Sequence, residues 1–207
     1  VAAGDLTTLA AVKLHMETTS GVLDDLIAQV ITQASEAIQV WSGREIVSLD
    51  AVGTTRTFDI SDDLLSCRYG EDRVIDVGDL AAVPTAVTVY DSNNVLAYTA
   101  TVASDIVALP RVRRPDRPIR SLRLAPGVVL APGGTLRVTG TWGFPQVPEF
   151  VERACILTVR AWLRSDAASS AEYGYEDGGR VVQTTPEGGW MLPMAAKQLL
   201  APLRRII

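Results

Sequence analysis

The side chains best suited to chemistry are few and scattered. His15 is the only histidine, so a Ser-His-Asp or Cys-His arrangement would need it as the base, and a histidine zinc site would need it as a ligand. It has no partner at a telling spacing, and its place near the end of the first predicted helix suits a side chain at the dipole's negative end. Cys67 and Cys155 lie in different segments with no CxxC, which reads as two reduced thiols, with a disulfide between them left open. Asp59, Asp62 and Asp63 could in principle pair their carboxylates, but Asp-Ile-Ser-Asp-Asp falls short of a calcium loop and reads as a solvated turn. The glycine pairs at 133–134, 178–179 and 188–189 lack the strand-to-helix context of a phosphate loop. These residues assign no catalytic, cofactor-binding or metal site, and the expectation is a protein that is not an enzyme and uses no cofactor.

Charge is more informative than motif. Between Asp59 and Asp79, seven acids stand against Arg68 and Arg73, whereas between Leu109 and Leu124, Arg111, Arg113, Arg114, Arg117, Arg120 and Arg123 stand against Asp116 alone. Two solvated loops would explain this, as would nucleic-acid contacts by Arg113, Arg114 and Arg117, although no aromatics are interleaved with them. A third explanation sets the acidic segment of one copy against the arginine segment of the next, as a head-to-tail ring permits. It makes Arg113, Arg114, Arg117, Asp59, Asp62 and Asp63 candidate subunit or ring contacts. A net charge of −5 over 207 residues argues against an electrostatic DNA binder.

The elements that position these residues fall into two kinds. A short helix opens after Asp5-Leu6-Thr7-Thr8 and ends near Met16. A second runs from about Val22 to Trp41, with Leu23, Leu26, Ile27, Val30, Ile31, Ala34, Ala37, Ile38 and Trp41 in one stripe and Gly43 as its stop. From about Arg44 to Thr141 the period changes to two, with predicted strands at 54–60, 86–90, 97–102, 121–124 and 135–141. Asp91-Ser92-Asn93-Asn94 marks a hairpin turn.

Pro148 and Glu149 then open a long helix to about Ser165, with Phe150, Ala154, Leu157 and Ala161 at helical spacing and Val151, Cys155, Val159 and Trp162 beside them. Residues 167–179 read as a loop, 180–185 as a possible strand, and 194–200 as a last helix before Pro202. The fold class is therefore α+β: a helical core from 1–44 and 142–207, with a small antiparallel β unit, 45–141, inserted. Trp142 and Phe144, with Trp162 and Trp41, are expected to pack the seam where the β unit returns to that core. The opening residues lack a signal-peptide pattern and no run is long enough to span a membrane, so a soluble protein with no membrane partner is expected.

These elements resemble the head-tail connector (adaptor) family of long-tailed bacteriophages. The similar parts are Leu6-Thr7-Thr8-Leu9-Ala10-Ala11-Val12-Lys13, the helix from Asp24-Asp25-Leu26-Ile27 to Trp41-Ser42-Gly43-Arg44, Gly140-Thr141-Trp142-Gly143-Phe144 leading through Val147-Pro148 into the long helix, and the closing Leu200-Ala201-Pro202-Leu203-Arg204-Arg205. The resemblance covers somewhat under half the chain, and the long β region departs from the family's shorter members.

It implies a structural virion protein of the neck, present in the host cytoplasm during assembly. The family forms a ring of about twelve copies with closed symmetry. Such a ring stacks on the portal, meets the next neck or tail protein, and lets DNA pass through without sequence-specific binding. It also implies portal docking by the C-terminal segment, here Trp190, Met191, Leu192, Met194, Leu199, Leu200, Leu203, Arg204 and Arg205. On this expectation, deleting 193–207 abolishes docking and leaves a folded protomer. The alternatives are a head-closure or tail-terminator ring protein of the same neck, a ligand-binding or adhesin-like β module, and an enzyme converging on His15.

Overall fold

The computed structural model describes residues 4–48, 50–51, 53–60, 73–111, 116–130, 133–171 and 192–204, and only the backbone for 165–171. The chain divides into two compact units, Val1–Arg44 with Val147–Ile207, and Glu45–Gln146. The boundary falls after Gln146 rather than after Thr141, so Trp142 and Phe144 belong to the β unit.

The helical unit contains α1 (Leu9–His15), α2 (Asp24–Ser42), α4 (Glu149–Ala171) and α5 (Met194–Leu200), with a 3-10 turn at Ala201–Leu203. Thr8 caps α1 by accepting the Ala11 N–H at 3.1 Å. Gly43 ends α2 at φ 63°, a left-handed conformation that costs glycine nothing. Helix α2 buries Ile27, Val30, Ile31, Ala34, Ser35 and Ile38, while Leu23 and Leu26, which the stripe included, are exposed at its first turns.

Helix α4 buries Val151, Ala154, Cys155, Ile156, Thr158, Val159 and Trp162, whereas Phe150, Leu157 and Ala161 are only half-buried. The covered face is thus centred on Cys155 rather than on the Phe150 row. This helix continues to Ala171, past the expected end at Ser165. The segment Asp166–Ala171 holds three alanines and no glycine or proline, so nothing in it stops a helix.

Ser35 ties the unit together. Its Oγ accepts the Leu6 N–H at 2.9 Å, donates to the Ile31 carbonyl at 2.8 Å, and lies 3.6 Å from Cys155 Sγ. Burial pushes the free Cys155 thiol up to about 12, with the Ser35 contact opposing that rise, so it behaves as a small apolar side chain. The N-terminal segment is held further by the Thr32 hydroxyl donating to Asp5 at 2.9 Å and by Lys13 Nζ pairing with Asp24 at 2.7 Å.

The β unit is a pair of antiparallel sheets. One has the order β1-β7-β3-β4, formed by Thr54–Asp59, Thr135–Gly140, Ala86–Tyr90 and Leu96–Ala100. The other has the order β2-β6-β5, formed by Arg73–Leu80, Ile119–Leu124 and Ile106–Leu109, with a one-turn helix α3 (Val102–Asp105) leading into β5. Val87, Val89, Leu136 and Val138 of the first sheet share one core with Ile75, Val77, Leu122, Leu124 and Ile106 of the second. The alternation of β3 (Val87 and Val89 in, Thr88 out) and of β7 (Leu136 and Val138 in, Arg137 out) puts every second side chain into that core. The predicted hairpin at Asp91–Asn94 joins β3 to β4, and Asp91 Oδ1 accepts the N–H groups of Asn93 and Val95.

Candidate functional site

The described ends of the two oppositely charged segments include a pair of neighbouring strands. Strand β2 carries Asp76 and Asp79, β6 carries Arg120 and Arg123, and the two strands pair directly, with Val74 opposite Arg123 and Asp76 opposite Ser121. Asp76, Asp79, Arg117 and Arg123 all have interaction partners in the chain. The ladder is interrupted between Asp76 and Leu80, where Gly78 sits at φ 82° and Asp76 Oδ1 accepts its N–H at 2.9 Å. Asp76 and Asp79, two of the acids that read as a solvated loop, are therefore in a strand whose Ile75 and Val77 face the core.

The structure does not bring the expected ring contacts together where it describes them. Asp59 is exposed at the end of β1, in the four-stranded sheet, and Arg117 is half-buried just before β6, in the other. Arg113, Arg114, Asp62 and Asp63 lie outside the described residues.

The C-terminal candidates divide sharply. Leu192, Leu200 and Leu203 are buried in the helical unit, Leu200 with no exposed surface at all. Their side chains pack in the protomer's own core, which leaves the exposed surface of this segment to its other described residues. Met194 is 70% exposed, Leu199 is half-buried, and Arg204 is exposed with its guanidinium 5.5 Å from the centroid of Trp41. Trp190, Met191 and Arg205 lie outside the described residues. Trp41 is half-buried and Trp162 buried, both within the helical unit.

Trp142 and its neighbours form the most elaborate local construction. The Trp142 indole is buried in the β core, its Nε1–H donates to the Thr54 carbonyl at 2.9 Å, and Phe58 lies 5.9 Å away between ring centroids. Arg56 stacks on its outer face while pairing with Glu45 at 2.6 Å and Asp50 at 2.6 Å. Partial burial pushes Glu45 upward, but the hydrogen bonds from Arg56 and Ser48 outweigh it and hold the carboxyl below its usual value.

Gly143, at φ 89°, lets the backbone double back. Its N–H donates to the Asp79 carbonyl at 2.8 Å, and a Cβ there would sit 2.9 Å from the Ile46 carbonyl oxygen. Gly140 faces the same crowding, since a Cβ would meet Leu80 Cδ1 at 2.9 Å. The Gly-Thr-Trp-Gly-Phe motif is thus a structural clasp of the β unit. Its aromatics are legible in the sequence, whereas the Arg56 cluster that covers Trp142 is not, because Glu45, Asp50 and Arg56 show no helical or strand periodicity.

His15 is exposed at the end of α1, and among the described residues no cluster of three potential metal ligands occurs, with His15 or without it. No described helix is long and apolar enough to cross a membrane. At the β4–β5 connection, Asp105 accepts from the Thr101 N–H, the Ser104 hydroxyl and the Tyr98 hydroxyl, which lowers its own pKa and raises that of Tyr98. That is a turn-capping cluster with its capacity spent inside the chain.

No family model matches the chain, and no curated protein matches it. Its fold, however, is shared over the full length with chains from solved neck assemblies. One is the neck of an empty GTA (gene transfer agent) particle computed with C6 symmetry, at a TM-score of 0.52 and 15% identity, covering 100% of this chain and 94% of that one. Another is the neck of a native GTA particle computed with C12 symmetry, at a TM-score of 0.50 with the same identity and coverage. The likeness is one of fold, and it spans both units.

Proposed function

We propose that the protein is a structural subunit of the neck of a tailed phage or phage-like particle. In this role it forms a closed ring of about twelve copies that joins the portal to the tail or to a head-closure protein. The observation that carries the reading is the likeness of fold, over the whole chain, to chains of the neck of GTA particles. The chemistry of the chain supports it. The polar clusters at Arg56, Ser35 and Asp105 are consumed in holding backbone and core, which is what a scaffold requires. A net charge of −5 suits the wall of a channel through which DNA slides, because an acidic surface does not retain phosphate.

On this reading the C-terminal segment contributes to portal docking through its exposed residues, Met194 and Arg204, with Leu192, Leu200 and Leu203 holding α5 against the protomer. Arg113, Arg114, Asp62 and Asp63 are proposed ring contacts. A head-closure or tail-terminator ring protein remains the second assignment within the same neck. Mixing the protein with the portal of the same particle and imaging the product tests the reading: a coaxial ring supports it, and free protomers beside bare portals refute it.

A further inference from the structure

The helical unit carries two exposed rows of opposite sign with matching spacing. On α2, Asp25, Gln29 and Glu36 follow one another at steps of four and seven residues, and all three are exposed. On α4, Arg153, Arg160 and Arg164 follow at steps of seven and four, the first and last exposed and Arg160 half-buried. Steps of four, seven and eleven return close to the same line of a helix, so each set forms a straight row about 16 Å long. Both rows lie on faces turned away from the core, since α2 buries Ile27, Ile31, Ala34 and Ile38, and α4 buries Ala154, Cys155, Thr158 and Val159. Among the described residues no carboxylate pairs with any of the three arginines. Glu152, the nearest acid in sequence to Arg153, accepts instead from the Thr7 hydroxyl.

We propose that these rows are the two halves of one subunit contact, the α4 row of one copy lying along the α2 row of the next. With the helices antiparallel, Arg164 meets Asp25, Arg160 meets Gln29 and Arg153 meets Glu36, since the step sequence four-seven on one helix is seven-four reversed on the other. Gln29 offers its amide oxygen to the middle guanidinium. Because the two faces differ, the contact is head-to-tail, which closes into a ring or extends into a filament according to its rotation. The proposal deepens the ring reading and rests on it. It places a charge complementarity on the helical unit, in addition to the contacts proposed for Arg113, Arg114, Asp62 and Asp63 of the β unit.

The test uses the full-length protein and three variants: R153E/R160E, D25K/E36K, and all four changes combined. Sedimentation at high protein concentration and low salt gives the association constant for each, and melting confirms that these surface changes leave the fold intact. Wild type should associate, and each double variant should weaken association by roughly tenfold or more. The fourfold variant, and an equimolar mixture of the two doubles, should recover most of the loss, and added salt should weaken only the complementary combinations. Equal association of all variants, no recovery on combination, or a wild type that stays monomeric throughout would overturn the pairing. So would retention of duplex DNA by wild type that R153E/R160E abolishes while association is unchanged, which would assign the arginine row to nucleic acid. Rings that still form on the portal with both doubles would sink this contact and leave the ring reading standing. A portal that recruits no ring of wild-type protein would sink the ring reading itself.

Discussion

The guanidinium of Arg56 lies 4.5 Å from the centroid of the Trp142 indole, holding a charged lid over a buried aromatic of the β unit. The two residues come from strand β1 and from the loop after β7, which pair as neighbours, so the contact locks the edge of the four-stranded sheet to the clasp that follows it. Loss of Trp142 should therefore unfold the β unit rather than disturb a partner. Trp142→Ala is expected to cost about 3–5 kcal/mol, and Trp142→Phe, which keeps most of the volume but leaves the Thr54 carbonyl without its donor, clearly less. Denaturant titration of both variants measures the difference, and a Trp142→Ala protein of wild-type stability would contradict this role.

Gly143 separates two effects that usually travel together. At Gly143 an added Cβ meets positive φ and the Ile46 carbonyl, whereas at Gly53, with φ 82°, it meets positive φ alone and nothing within 4 Å. Gly53→Ala should cost about 1 kcal/mol from backbone strain, and Gly143→Ala appreciably more. Thermal melts of the two variants make the comparison, and equal losses would show that the close approach does not matter.

Glu45 contributes a pH dependence of known sign. Its folded pKa is depressed, so its contribution to stability is present above the unfolded value of 4.5 and is lost as pH falls through the lower folded value. The pair is about one-third exposed on both sides, so solvent screening limits the effect to roughly 0.5–1 kcal/mol. Melting curves between neutral pH and the acid range should show that Glu45→Gln flattens part of the acid slope. An unchanged slope would mean that the Arg56 contact gives Glu45 no preference for its charged form.

The last helix should be structural on one side and available on the other. Leu200→Ala is expected to cost about 2–5 kcal/mol, and Met194→Ala less than about 0.5 kcal/mol. Deleting 193–207 should consequently destabilise the helical unit, reversing the expectation from sequence that the truncated protomer stays folded. Circular dichroism melts of the three proteins decide it, and a truncated protein with wild-type melting would restore the original view.

The elements legible in the sequence are those in which local pattern and tertiary burial agree. Helix α2 has apolar residues at helical spacing and a glycine where the chain must turn left-handed, and it ends at Gly43 as expected. Strands β3 and β7 alternate cleanly and fall where the alternation places them. Strand β2 was hidden because Asp76 and Asp79 dilute a hydrophobic alternation that only its partner β6 reveals. Strand β5 is too short for its period to register. The burial of Leu200 and Leu203 was equally out of reach, since a short apolar helix reads the same whether its partner is the next subunit or the protomer's own α4. Of the candidate surfaces, the charged segments are visible in the sequence, but the pairing of β2 with β6 depends on long-range topology that no local window contains.

The most direct measurement is cryo-electron microscopy of the protein mixed with its portal, with particles averaged along the portal axis. A neck subunit should appear as a closed, coaxial ring with one copy per portal subunit, with helices α2 and α4 of adjacent copies in contact. Bare portals, or protein bound without axial symmetry, would contradict the account.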